Sequence, residues 1–315
     1  MSGPDEQKIG TRVTMLIRST DGSHRELLGR LLTTNSVLRK DGTEVTFDPT
    51  QVISWRVVSE QPLRKPTSQR IREIEQAGSA TWPAVEVVRI GGWELRASSG
   101  YSHRANSAQP IGAPPFGEPS GDFVSALQEV VDFYRSRNLT PLFQIPLPSY
   151  SGLDAALEIE GWQPEPSVSV QVCDLSPLAN PSQDIVEITS RPDDKWLVLH
   201  QRSLGRDGLA VLTGANAFFA TIRKVDPITG EEVVAAIGRA AISQSWCGIS
   251  AIRTAEQFQR QGLAESIVSA LAQHAIGKEA VRAFLQVSAD NMPALALYQK
   301  LGFTEHHTYK YRSLT

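Results

Sequence analysis

Cysteine is nearly absent from this chain: 315 residues hold two, Cys173 and Cys247, far apart in sequence. That excludes a disulfide scaffold and any zinc site built on CxxC pairs. An excess of charge is missing too. Lys and Arg number 31 against 34 Asp and Glu, a net charge of −3, so no basic field invites nucleic acid and none is expected as a partner. No apolar run approaches the roughly 18 residues of a membrane helix. The opening MSGPDEQKIG is polar, and a cytoplasmic protein without membrane association is expected. No Gly-rich loop ends in Lys-Ser/Thr and no GxGxxG follows a strand, so neither a P-loop nor a dinucleotide fold is indicated.

What is present is ordinary globular composition, 41% hydrophobic and 21% charged, in a chain long enough for two or three domains. Residues 10–60 alternate in short runs. RVTMLIRS turns Val13, Met15 and Ile17 to one side, and ELLGRLL, VLRK, EVTFD and VISWRVV follow, with Asp-Gly turns at 21–22 and 41–42. Such turns between alternating runs are hairpin signals, and the segment predicts a small β-barrel of SH3-like kind. Its charges balance, eight basic against eight acidic over residues 1–60, which weakens a nucleic-acid role and leaves a packing module or one that docks a protein partner. Residues 61–80, opening on EQPLRKPTSQR, predict a linker running into a short helix near 67–77.

The rest of the chain repeats itself. SALQEVVDFYRSRNLTPLFQI (125–145) answers SALAQHAIGKEAVRAFLQV (269–287), each a helix then a strand. LDAALEIEGWQPEPSVSVQV (153–172) matches PALALYQKLGFTEHHTYKYR (293–312), placing Gly161-Trp162 over Gly302-Phe303 and Leu157 over Tyr298. Halves at 81–184 and 185–315 are therefore expected. They differ at one turn. The second half carries QRQGLA (259–264), where the strand ISAIRT leads into a helix with Leu263, Ile267, Leu271 and Ala275 on one face. The first half has PFGEPSG (115–121), whose prolines and Glu118 suit an anion poorly.

A helix start exposes unpaired N–H groups and partial positive charge, so an anion is stabilised there. Gly262 lets backbone approach closely, Ala264 keeps the first helical turn thin, and Arg260 adds charge. Further on, Asn291 stands where the next helix begins, as a cap or a polar ligand contact. Tyr298 follows two turns later on the same side, either as core packing or as a site residue.

Together Gln259, Gly262, Ala264, Asn291, Ala294, Tyr298 and Leu301-Gly302-Phe303 resemble the GNAT acetyltransferase superfamily over residues 185–315. The whole chain resembles an actinobacterial subfamily with an SH3-like module and a degenerate first half, a likeness strengthened by GWELRASSGYSHRANSAQP (92–110). Tandem proteins similar to mycothiol synthase also pair a competent half with a degraded one. Two departures stand out: Ala264 replaces the second glycine, and Glu256 stands where a proline precedes the turn. The resemblance implies an α/β (α+β) tandem fold, with central mixed sheets flanked by helices. It implies acetyl-CoA as cofactor and transfer of its acetyl group to a primary amine, either a small amine or a peptide or protein lysine. Main-chain groups of Ile252, Arg253 and Thr254 would hold the pantetheine. The amides of Arg260, Gln261, Gly262, Leu263, Ala264 and Glu265, behind Gln259, would hold the pyrophosphate. Asn291 would meet the pantetheine, and Tyr298 would be the catalytic acid for the thiolate. The other reading is a non-catalytic CoA-responsive or peptide-binding protein on the same scaffold.

An attacking amine must lose a proton, so a base is needed; Glu232, Asp290, His306 or a relayed water are open. The first half is acidic, five basic against twelve acidic residues over 81–184, which points to a cationic acceptor. His200 is placed at an acceptor cleft or on the surface, and Trp93 and Tyr101 at the cleft wall or, for Trp93, in the core. KVDPITGEEVV (224–234) predicts a hairpin turning at Thr229-Gly230. No metal site is expected, since His306 and His307, adjacent on a strand, should face opposite ways.

Overall fold

The computed structural model describes residues 3–4, 8–19, 22–39, 43–57, 66–179 and 184–315. The chain divides into two compact units, Met1–Lys65 and Pro66–Thr315, each described by itself. The Asp-Gly turns expected at 21–22 and 41–42 fall partly or wholly outside the described residues, as do residues 61–65 of the expected linker.

The first unit holds β1 (Arg12–Arg18), β2 (His24–Thr33), β3 (Ser36–Leu38), β4 (Glu44–Thr46) and β5 (Val52–Val57). Val13, Met15 and Ile17 are buried with Leu27, Leu31 and Val37, as alternation along β1 requires. The strands run in the order β4-β3-β2-β1-β5, all neighbours antiparallel. The edge strands β4 and β5 do not pair among the described residues, so the expected SH3-like barrel is replaced by an open sheet. Closure needs tilted strands long enough to meet around the barrel, and β3 and β4 have three residues each.

The second unit opens with helix α1 (Ser68–Thr81), capped by the Thr67 side chain on Arg70 N. It is the helix expected near 67–77, running on to Thr81, and with Ile71, Ile74, Ala77 and Gly78 buried it belongs to the core rather than to a spacer. Then follow β6 (Glu86–Ile90), β7 (Trp93–Ala97), β8 (Ala108–Pro110), α2 (Phe123–Arg135), β9 (Leu142–Leu147), α3 (Ser151–Ile159), β10 (Gln163–Pro164) and β11 (Val168–Asp174). Past them come β12 (Glu187–Thr189), α4 (Asp194–His200), α5 (Gly208–Thr213), β13 (Phe218–Val225), β14 (Glu232–Ser243) and β15 (Trp246–Thr254). The chain ends with α6 (Leu263–Ile276), β16 (Arg282–Ser288), α7 (Met292–Lys300) and β17 (Thr304–Ser313).

All these strands form one twelve-stranded sheet, β12-β13-β14-β15-β16-β11-β17-β9-β8-β7-β6, with β10 on β17. Its two parallel pairs, β8–β9 and β15–β16, are each bridged by a helix, α2 or α6, as parallel neighbours require. The repeat reappears in hydrogen bonds. Helices α3 and α7 both end on a left-handed glycine, Gly161 (φ 83°) and Gly302 (φ 91°). Trp162 N donates to Leu157 O and Phe303 N to Tyr298 O, both at 2.9 Å. Glycine suits that position because a Cβ there would crowd the carbonyl.

The expected halves do not stand apart. β11, from the first half by sequence, lies between β16 and β17 of the second, and β17 pairs in turn with β9 of the first. Each half thus completes the other's sheet. α1 ties them further through Glu75, 3% exposed. Its carboxylate accepts from Gln144 Nε2 (2.6 Å) and Gln109 Nε2 (2.8 Å) and meets His307 Nε2 at 2.9 Å.

Glu75→Ala would leave three buried polar groups without their shared partner. It should lower stability by about 3–5 kcal/mol, read as a fall in the urea midpoint; a shift too small to resolve would remove Glu75 as the tie.

Candidate functional site

β15 pairs with β16 only at Trp246↔Arg282, Cys247↔Ala283 and Gly248↔Phe284. Beyond Gly248 the two strands part, leaving the β16-side edge of β15 from Ile249 to Thr254 unpaired while its other edge stays on β14. A bulge sits in this stretch. Ile237 opposes Arg253 and Arg239 opposes Ser250, so Ala251 and Ile252 face the single residue Gly238, and Ala251 adopts φ 54°. An open strand edge of this kind has free N–H and C=O groups to offer an extended ligand.

The edge leads into the turn. After a 3-10 turn at Glu256–Phe258, Gln259 is extended, Arg260 has φ 60° and Gly262 φ 81°, and α6 begins at Leu263 with no side-chain cap. The N–H groups of residues 260–265 have no acceptor among the described residues. A Cβ on Gly262 would meet nothing within 4 Å, so glycine is required by φ, and the space before the helix is open. The equivalent turn of the first half is closed by its own chain. A Cβ on Gly117 would lie 2.6 Å from Pro110, Trp93 Nε1 donates to Phe116 O (2.7 Å), and Glu118 Oε2 accepts from Ala113 N (3.0 Å).

Of the remaining predicted residues, Glu265 pairs through its side chain with Lys300 at 2.5 Å. Asn291 caps α7, accepting from Ala294 N at 3.2 Å, and its amide NH2 has no partner among the described residues. Tyr298 is 9% exposed, packs edge-on to Phe303, and its hydroxyl has no hydrogen-bond partner among the described residues. Burial pushes that hydroxyl up to about 12, so it holds its proton at neutral pH.

On the other side of the bulge lies a pocket of about 200 Å³ lined by Trp82, Arg104, His200, Arg202, Ala251, Ile252 and Arg253. The face of the sheet is defined by two neighbours on β14. Gly238 looks toward α6, where a Cβ would lie 2.4 Å from Ile267. Arg239 reaches the opposite face, donating to the carbonyls of Thr81 and Leu212 at 2.9 and 2.7 Å. Trp82 stacks on Tyr101 with ring centres 6.0 Å apart, and the Tyr101 hydroxyl meets His200 Nε2 at 3.0 Å.

The expected bases lie elsewhere. Glu232 and Asp290 are exposed, Asp290 accepting from Ser288, and His306 lines a different pocket with Cys173, Trp246 and Arg282. The two adjacent histidines also depart from expectation. Val170 pairs with His307 and Gln171 with Glu305, so His306 is the extra residue of a bulge. That bulge brings the two rings together, Nδ1 to Nδ1 at 2.8 Å. Among the described residues no group of three His, Cys, Asp or Glu is arranged to hold a metal. None of their helices is long and apolar enough to cross a membrane.

The protein family described as probable histone acetyltransferase Rv0428c C-terminal matches residues 67–312. The chain belongs to that family. The probable histone acetyltransferase Rv0428c of Mycobacterium tuberculosis is 31% identical over 316 residues, covering 96% of this chain and 94% of its own. The uncharacterized N-acetyltransferase YobR of Bacillus subtilis is 30% identical over 252 residues, 75% of this chain and 97% of its own. A GCN5-related N-acetyltransferase from Kribbella flavida superposes with a TM-score of 0.57 at 15% identity, over 77% of this chain and 95% of that one. A tandem GNAT protein from the clavulanic acid biosynthesis pathway does so with 0.54 at 14%, over 80% and 90%. These two likenesses show the fold, and with the family they make this Rv0428c-family chain a GNAT-type acetyltransferase.

Sequence reasoning missed Trp82, Arg104 and Arg202 in this Rv0428c-family pocket, and placed His200 only as one of two options. They come from α1's end, the 3-10 turn His103–Ala105 and the segment after α4, so no spacing links them. The pocket leaves a measurable trace. Burial, with Arg202, Arg253 and Arg239 nearby, pushes the His200 imidazole down to about 4. The folded value lies below the ordinary 6.5, so the stability carried by neutral His200 is present above pH 6.5 and is lost as pH falls toward 4. A proton NMR titration should find its midpoint near 4; a midpoint near 6.5 would place the ring in open solvent.

Proposed function

We propose that the chain transfers an acetyl group from acetyl-CoA to a primary amine. One observation carries this reading: the open edge of β15 runs straight into a turn whose N–H groups at residues 260–265 have no acceptor among the described residues. Those groups fit a pyrophosphate, as the polarity of a helix start favours anions, and Gly262 leaves the approach clear. Ile252, Arg253 and Thr254 would offer main-chain groups to the pantetheine arm, and Asn291 its free amide. Bound acetyl-CoA supplies the acetyl group as an activated thioester.

The chain's own groups are assigned the proton work. Tyr298, protonated and with an uncommitted hydroxyl, donates to the departing sulfur. His200, neutral and at the pocket beside Ala251 and Ile252, receives the proton of the acceptor amine. The name of the Mycobacterium tuberculosis relative points to a protein lysine as acceptor; a small amine fits the limited pocket volume.

Calorimetry should show acetyl-CoA binding to the wild type and its loss in Gly262→Glu, which sets a carboxylate among the amides. Tyr298→Phe should keep the dissociation constant and lower kcat on the order of 10²-fold. A wild type that does not bind acetyl-CoA would leave the turn as a plain helix start.

A further inference from the structure

The pocket beside the β15 bulge has a charge opposite to that of the half that was expected to select the acceptor. Arg104, Arg202 and Arg253 line it, and Arg239, 1% exposed, lies behind Trp82. None of the four is within 4.0 Å of a carboxylate among the described residues. Every partner they have is neutral: Arg104 donates to Gln286 Oε1 (2.8 Å), Arg253 to His200 O (3.1 Å), and Arg239 to the carbonyls of Thr81, Leu212 and Gly214 and to Ser250 Oγ. Among the described residues Arg202 has no hydrogen-bond partner and lies over the Tyr101 ring, 5.7 Å from its centre.

The aromatic faces that would attract an ammonium already carry guanidinium groups. Arg104 and Arg239 each sit 4.7 Å from the Trp82 ring centre. The nearby carboxylates are committed: Asp207 accepts from Ser99 Oγ (2.6 Å) and pairs with Arg206, and Glu165 faces His103. Arginine forks without counter-ions suit a planar carboxylate, which accepts two N–H groups at once. A volume of about 200 Å³ is below the roughly 300–1,000 Å³ of sites for drug-sized ligands.

We infer that the acceptor is a small amine bearing a carboxylate, of amino-acid size, whose carboxylate is held by Arg202 and Arg253 while its amine lies toward Ala251 and Ile252. This rests on the acetyltransfer reading above. The four arginines sit on the sheet face opposite α6, whose N-terminal amides are assigned to the pyrophosphate, so the two anions have separate places. An anion there also changes the His200 ring. The charged groups facing it are Arg202 after α4, Arg253 on β15, Arg239 on β14 and the Tyr101 hydroxyl; neutralising the arginines favours the imidazolium and readies the ring to take a proton.

The test uses the full chain with acetyl-CoA and pairs of amines that differ only as carboxylate or carboxamide, plus a lysine-rich basic peptide. Carboxylates should be preferred at least tenfold in kcat/KM. Arg202→Gln should raise KM for the carboxylate about tenfold and leave the acetyl-CoA dissociation constant unchanged, and Arg202→Glu should reverse the preference. Arg202 is exposed, so both variants should fold. Without turnover, saturating carboxylate acceptor should move the His200 NMR midpoint upward. Equal rates for carboxylate and carboxamide, or preference for the basic peptide, would overturn the inference while the acetyltransferase reading stands. Weakened acetyl-CoA binding in Arg202→Gln with selectivity intact would overturn it too, assigning the arginines to the cofactor's phosphates. Absence of acetyl-CoA binding by the wild type would instead remove the reading beneath it.

Discussion

A carboxylate removed from water must be met by donors on every side, and Glu75 is met by both halves of the sheet at once. Gln109 and Gln144 come from β8 and β9 of the first half, and His307 from β17 of the second. The network runs on: Gln109 accepts from Ser79, and Ser79 and Gln144 both accept from the buried Arg96. Because α1 carries Glu75, Ser79 and Thr81, it fixes where its last residue, and then Trp82, must lie. Trp82 is the wall of the arginine pocket. The placement of the site thus follows from a helix that shares no motif with it.

The exchange of β11 and β17 does for the strands what Glu75 does for the side chains. Neither half by sequence completes the sheet alone, so the first is needed as structure even where its own turn is closed. At Gly117 the chain packs against Pro110 and Trp93; at Gly262 nothing is near. The same backbone device is filled in one copy and open in the other. The pseudo-equivalent pairs show the same division. Gln144 and Gln286 each accept from an arginine, Arg96 and Arg104. The first pair is sealed in the core, whereas Arg104 of the second reaches the pocket.

Much of this was written locally. The face Leu263, Ile267, Leu271 and Ala275 is buried as its four-residue spacing requires, and Val13, Met15 and Ile17 alternate inward. The left-handed glycines at 161, 262 and 302 can be read because only glycine adopts that backbone at little cost. The overlay of Leu157 on Tyr298 could be read because the same helix ending recurs. Periodicity and turn chemistry act over a few residues, and residue order records them.

Other features depend on contacts between distant segments, and residue order does not record those. The open sheet in place of a barrel depends on which edges meet. The pairing of His306 with His307 depends on a bulge forced by β11, more than a hundred residues earlier. Nothing near Glu75 in sequence marks it as buried, since its partners lie as far away as residue 307. Composition does not show the arginines beside the bulge, since a half can carry net negative charge while arginines converge where it meets the other. The amino-acid sequence by itself determined many of the elements, the repeat, the family resemblance and the glycine turn that opens α6. The tertiary structure alone decided which strand completes which sheet and which charges surround the bulge, because packing brings together residues from five separate segments.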